Sequence, residues 1–176
     1  MTFRDGPIDS RSRIIAATIA VAGILTILGA YYFQYVLGLP PCPLCLEQRY
    51  AYYVSIPVLF VALVLVAAGR PVPAAVLFAA VATAFLANAA LAGYHAGAEW
   101  KLWAGPDTCA APAGSLSTSA GSLLEDLRTV RVVRCDEPAV LVLGLSLAAW
   151  NVIASLVIAA GAFRAAAETW QSRSLA

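Results

Sequence analysis

Residues Ile14–Leu37 read IIAATIAVAGILTILGAYYFQYVL, 24 residues without one charged side chain. A helix needs about 20 mostly apolar residues to cross the hydrocarbon core of a bilayer, so this stretch is long enough to span. Its end carries Tyr31, Tyr32, Phe33 and Tyr35, the aromatic composition of a membrane–water interface. A secretory signal has an apolar region of roughly 7–15 residues followed by a small-residue cleavage site. The length and the aromatic end therefore predict a retained span. Working outward, three more apolar runs cover about 50–68, 74–94 and 139–163. Gly69-Arg70-Pro71-Val72-Pro73 separates the second from the third, and its prolines cannot continue a helix.

The composition agrees. Of 176 residues, 61% are hydrophobic and 12% charged, against roughly 25% charged in a soluble domain. The mean hydropathy is +0.81. Eleven basic and ten acidic residues leave a net charge of +1, which excludes a basic nucleic-acid-binding face. The fold expected is an all-α integral membrane protein: a four-transmembrane-helix bundle forming a single membrane domain over residues 1–176. The spans are about 14–37, 50–68, 74–94 and 139–163, with external loops at 38–49 and 95–138. Within the second loop, Leu116, Ala120, Leu123, Leu124, Leu127 and Val130 recur at helical spacing after serines that can cap. A short amphipathic surface helix is expected there, with a plain surface loop as the alternative.

Four spans put both termini on one side of the membrane. Arg4, Arg11, Arg13, Arg70, Arg164 and Arg173 crowd that side in short segments, which favours cytoplasmic termini. Cys42 and Cys45 then fall in the first external loop, and Cys109 and Cys135 in the second. Both pairs face the compartment where disulfides form and persist.

Pro40-Pro41-Cys42-Pro43-Leu44-Cys45-Leu46-Glu47-Gln48-Arg49 carries the chemistry. Two cysteines separated by two residues suit redox cycling, because one thiol can resolve a mixed disulfide made by the other. Cys45 is placed near the N-terminus of the second span, where free N–H groups and the helix dipole favour a thiolate. Arg49 follows one turn later on the same face. Its guanidinium can stabilise that thiolate or donate to a ligand carbonyl, and Gln48 can serve as a second donor. Arg49 could instead snorkel to the headgroups. A zinc site would call for four ligands in close pairs; here the second two cysteines are far apart and the sole histidine, His95, is distant in sequence. No metal is expected. A disulfide between Cys109 and Cys135 could be purely structural, stabilising by ~3 kcal/mol through loop closure; alternatively that pair exchanges with an outside protein. His95 matches Cys45 and Arg49 in depth and could share their pocket, or be an ordinary interfacial histidine. Asn88 and Asn151 read as helix-to-helix hydrogen-bonding residues. Gly23, Gly29 and Gly144 read as points of close helix contact. Haem ligation by two histidines is excluded by the single histidine, and no dinucleotide-binding glycine motif follows a strand. A lipid-soluble quinone remains as the acceptor for the electrons of an oxidised dithiol.

The stretch Cys42-Pro43-Leu44-Cys45 with Gln48-Arg49 resembles the C-x-L-C-x-x-Q-R signature of the DsbB family, quinone-dependent protein thiol oxidases of the bacterial inner membrane. Tyr94-His95-Ala96-Gly97-Ala98-Glu99-Trp100 is similar to the end of that family's third span. Cys135-Asp136-Glu137-Pro138 and Leu143–Asn151 resemble the entry to its fourth. The resemblance covers about residues 14–163. It implies a protein that reoxidises DsbA, a periplasmic thioredoxin-fold oxidase, and passes the electrons to ubiquinone or menaquinone. It implies that Cys109 takes the mixed disulfide with the DsbA-like partner and that Cys135 pairs with Cys42. It further implies that Cys45 contacts the quinone ring, Arg49 binds and polarises the quinone, and His95 lines its site. The cysteine loops would be periplasmic, and the resting disulfides expected are Cys42–Cys45 and Cys109–Cys135. A branch of the family serving one dedicated partner is a further possibility. A vitamin K epoxide reductase-like oxidase is disfavoured because its C-x-x-C comes late in the chain. A structural subunit with passive disulfides is the reading from a different class.

Overall fold

The computed structural model describes residues 7–106 and 134–172. Cys109 and the expected surface helix lie outside these residues. Among the described residues, four helices are long and apolar enough to cross a membrane. Helix α1 spans Pro7–Tyr31 and passes into a π-helical turn, Tyr32–Val36. Helix α2 spans Pro43–Ala67 and α3 spans Pro71–Glu99. Two short strands, β1 (Leu141–Val142) and β2 (Leu145–Ser146), pair antiparallel before α4, Leu147–Ser172. The helices form a ring in which α1 touches α2 and α4, and α3 touches α2 and α4.

Three boundaries differ from those read off the sequence, each for a local reason. Helix α2 starts at Pro43 rather than near residue 50. Proline at the first helical position gives up an N–H that has no intrahelical partner there, and the Cys42 sulfur accepts the Cys45 N–H at 3.2 Å as the cap. Cys45, Gln48 and Arg49 are therefore helical and not part of a loop. Helix α3 runs on to Glu99, so His95 also stands on a helix. Pro71 and Pro73, expected to interrupt the chain, open this helix; Gly69 supplies the preceding turn at φ +68°. Helix α4 starts at Leu147 rather than 139. The residues before it fold into the strand pair, turning at Leu143 (φ +54°) and Gly144 (φ +82°). Ser146 then caps α4 by accepting the Ala149 N–H at 3.2 Å.

The core lies at the centre of the ring and includes Tyr52, Leu59, Phe78, Phe85 and Ile158. Tyr52 and Phe85 meet edge to face, with ring centroids 4.9 Å apart. Lipid is as apolar as these side chains, so helix association depends on close packing and on buried hydrogen bonds. Alanines supply the close packing: Ala74, Ala82, Ala92, Ala159, Ala162 and Ala165 are all buried. Large apolar residues such as Val54, Phe60, Val76, Leu86 and Phe163 face outward, toward the hydrocarbon. Of the glycines read as helix contacts, Gly23 meets Tyr52 and Ile56, while Gly29 and Gly144 have nothing near their Cβ positions. Gly144 is a turn residue, and Gly29 faces the cavity described below.

At Gly161 a Cβ would press on the Ile19 side chain of α1. Isoleucine is branched at Cβ and has little rotamer freedom in a helix. Gly161→Leu is expected to separate α1 from α4 and to cost about 1–3 kcal/mol, read as a lower thermal midpoint in detergent.

Candidate functional site

The start of α2 places the first cysteine pair at one end of the bundle. Cys42 is buried and Cys45 is half-buried one turn further on. The expected Cys42–Cys45 disulfide is open. Both are free thiols, their sulfurs are 2.7 Å apart, and Cys42 donates to Cys45. That hydrogen bond, with burial, raises the Cys42 thiol well above the usual range. The shared hydrogen therefore stays on Cys42 and leaves the Cys45 sulfur as acceptor.

Arg49 is held from a second helix. Its Nη1 donates to Oε1 of Gln34 at 2.6 Å, and its guanidinium lies 5.5 Å from the centre of the Tyr31 ring. Tyr31 in turn shares a hydrogen bond with Tyr53 at 2.9 Å. Gln34 sits in the π-helical turn that ends the first span. The extra residue in a π turn changes which side chains face inward; here Phe33 and Gln34 face the site.

Helix α3 brings His95 to the other side of the cysteines. Its Nε2 is 3.7 Å from the Cys42 sulfur and 3.8 Å from Oε1 of Glu99, whose side chain is 6% exposed. On its far side, Nδ1 is 3.0 Å from Nε2 of Gln48. Asn151 of α4 donates to Oε1 of Gln48 at 2.5 Å, and Tyr52 donates to Oδ1 of Asn151. Asn88 donates to Ser155 at 2.9 Å. The asparagines thus join helices as their positions within spans led one to expect.

Cys135 is disulfide-bonded and 1% exposed, and it packs in one buried cluster with Cys42 and Leu44. The next residue fixes it there. Asp136 accepts from Arg134 at 2.9 and 3.0 Å and from Lys101 at 2.8 Å. Lys101 lies just past α3, where the chain turns at φ +60°. Trp103 then folds back over Gly97, stacking on Tyr94 and donating to its carbonyl at 2.9 Å. A charged clasp thus ties the entry to the strand pair against the end of α3.

These elements border a half-open cavity of about 530 Å³. Leu25, Ile27, Ala30, Phe33, Val142, Leu147 and Ala154 form apolar walls, and Cys45, Arg49, Gln34 and His95 are among its polar lining. Of the residues picked from the sequence, Cys42, Cys45, Gln48, Arg49, His95 and Cys135 are brought together. Sequence reasoning missed Gln34, Tyr31 and Glu99. Glu99 follows His95 by four residues, a helical spacing that could have signalled it. Nothing local links Gln34 to Arg49.

Cys42, Cys45 and His95 also place soft donor atoms within 4.8 Å of one another. Two thiolates on one tetrahedral zinc would stand about 3.7 Å apart, given Zn–S bonds near 2.3 Å. The two sulfurs here are closer than that, 2.7 Å apart.

The sequence profile described as Disulfide bond formation protein DsbB matches residues 12–165. The chain belongs to the DsbB family. Relatives named Disulfide bond formation protein B are similar to it. The one from Herminiimonas arsenicoxydans is 41% identical over 86 residues, 48% of this chain and 51% of that protein. The one from Acidovorax sp. (strain JS42) is 46% identical over 44 residues, 25% of each chain. That from Albidiferax ferrireducens is 44% identical over 46 residues, 26% of each. The matching stretches span about a quarter to a half of these relatives' length. No solved structure matches the chain. Membership of the DsbB family agrees with a disulfide-forming function and with the dithiol at the start of α2.

Arg134 first, then Lys101, holds the Asp136 carboxyl well below the ordinary carboxylate range. For a carboxylate depressed in the folded state, the stabilisation is complete above its unfolded value of about 3.9. It is lost only as pH falls through the lower folded value. Hydrogen exchange at residues 134–138 is therefore expected to show a clasp of constant strength between about pH 5 and 8, after correction for intrinsic rates. Asp136→Asn should speed exchange there at every pH.

Proposed function

We propose that this chain is a protein thiol:quinone oxidoreductase of the bacterial inner membrane. It reoxidises a DsbA-like periplasmic dithiol oxidase and passes two electrons to ubiquinone or menaquinone. Its termini are cytoplasmic and its cysteine loops periplasmic. The observation that carries this reading is the position of Cys45. Its sulfur stands at a helix N-terminus and on the wall of an apolar cavity, with Arg49 one turn away.

The cavity fits a quinone. Its volume lies in the usual range for small-molecule sites, about 300–1,000 Å³. Its walls are aliphatic and aromatic, and its polar groups gather at the cysteine end. A bound quinone supplies an acceptor for two electrons and two protons. Arg49 would hold a ring carbonyl, because its planar guanidinium keeps N–H groups beyond the one given to Gln34. Gln34 and Tyr31 orient it. His95 lines the same site. Gln48 gives one N–H to His95 and its oxygen to Asn151, and its second N–H is left as a further donor to the quinone beside Arg49.

The sulfur chemistry follows from the cluster at Cys135. Cys109 takes the partner's thiol in a mixed disulfide, which releases Cys135 as a thiolate. Cys135 attacks Cys42 of the closed inner pair. The Cys135–Cys42 bond forms, the Cys42–Cys45 bond breaks, and Cys45 leaves with the electron pair. The helix N-terminus and Arg49 stabilise that charge. Burial of Cys135 against Cys42 supports this order of exchange.

The test is quinone absorbance with the purified protein in detergent after adding reduced DsbA. Loss of oxidised quinone should match oxidation of DsbA and vanish in Cys45→Ser. Arg49→Gln should slow quinone reduction ~10²-fold. A protein that reduces neither ubiquinone nor menaquinone would overturn the reading, as would a Cys45→Ser variant that turns over normally.

A further inference from the structure

The polar chain that crosses the bundle ends on the only histidine in the sequence, and its hydrogen-bond directions fix how that histidine is protonated. The Asn151 amide donates to Oε1 of Gln48. Gln48 therefore turns its NH2 group toward His95, whose Nδ1 lies 3.0 Å away. A nitrogen facing an N–H donor must accept, so Nδ1 carries no hydrogen. In the neutral ring the hydrogen is then on Nε2.

The surroundings of Nε2 suit the same tautomer. Its neighbours are the Cys42 sulfur at 3.7 Å and Oε1 of Glu99 at 3.8 Å. The Cys42 hydrogen is given to Cys45, so the Cys42 sulfur presents lone pairs to the ring. A carboxylate oxygen accepts as well. His95 is 2% exposed and Gln48 is 4% exposed, so water does not compete for either.

We infer that Asn151, through the Gln48 amide, holds His95 as the Nε2–H tautomer and aims that N–H at the Cys42 sulfur. Asn151 and Gln48 are positioning residues: neither touches a sulfur. Their consequence lies at Cys42, the sulfur that exchanges its bond to Cys45 for one to Cys135 in the proposed step. The Cys45 backbone N–H already points at this sulfur, and the imidazole N–H is the second donor. Donors fixed on the sulfur that Cys135 attacks hold it in place and draw electron density from it as the new bond forms. This consequence for turnover rests on the thiol-oxidase reading. The tautomer itself does not.

A single histidine makes the test direct. The full chain is purified in detergent without a histidine tag and labelled with 15N-histidine, with the inner pair reduced by dithiothreitol. Long-range proton–nitrogen spectra report which ring nitrogen is protonated. The wild type should show a bare Nδ1 and a protonated Nε2. Gln48→Glu puts a carboxylate oxygen where the NH2 stood and should place the hydrogen on Nδ1. Asn151→Leu frees the Gln48 amide to turn and should give both tautomers. Hydrogen on Nδ1 in the wild type, or an unchanged spectrum in Asn151→Leu, would overturn the assignment. The wild-type spectrum and Gln48→Glu decide the matter even where Asn151→Leu does not fold.

Oxidation of reduced DsbA in the presence of ubiquinone should fall at least about 10-fold in Gln48→Glu. Turnover that stays unchanged while the tautomer shifts would sever the link to Cys42. A wild type with the assigned tautomer and no quinone reduction would overturn the thiol-oxidase reading and leave the positioning of His95 standing.

Discussion

The geometry of the site depends on how α2 begins. A helix leaves its first N–H groups without partners, and in an apolar setting those groups must be satisfied locally. Pro43 removes one of them, and the Cys42 sulfur accepts another from Cys45. The same contact that starts the helix brings the two sulfurs together and points Cys45 along the helix dipole. Cys45 and Arg49 then share a face because a helix repeats every 3.6 residues. A start one turn later would have left Cys42 and Cys45 on an unconstrained loop.

The bundle answers a second constraint, the cost of buried polar groups. Gln48, Asn88, His95 and Ser155 are buried among helices that lipid does not push together. They are satisfied by one another, across α2, α3 and α4. Interhelical hydrogen bonds of this kind are worth only about 0.6–2 kcal/mol each. Their larger effect is on register, since a helix that slid by one turn would strand several donors at once. Alanine-rich faces on α3 and α4 allow the approach that these short side chains need. The network therefore sets the depth at which His95 meets Cys42.

The opposite side of the site is built from irregular backbone. The π turn at Tyr32–Val36 presents Gln34 to Arg49, and the turn at Leu143 and Gly144 brings Val142 and Leu143 over the cavity. Trp150 donates to the Val142 carbonyl at 2.9 Å and holds the strand pair to α4. Exchange chemistry asks for sulfurs that can approach and part. Such a demand is met where short irregular segments border rigid helices.

The number of spans, their apolar character and the redox pair were legible in the sequence, because each depends on residues close together in the chain. Length and lack of charge determine a membrane helix. The spacing of Cys42, Cys45 and Arg49 determines a face once the helix exists. The limits of α2, α3 and α4 were less legible, since capping by the Cys42 sulfur and by Ser146 depends on side-chain geometry that a hydropathy pattern does not encode. The tertiary structure alone decided that Gln34 orients Arg49, that Gln48 meets His95, and that Cys135 packs on Cys42. Those contacts join residues far apart in the chain, and their distances follow from how the helices pack. No local pattern carries that information.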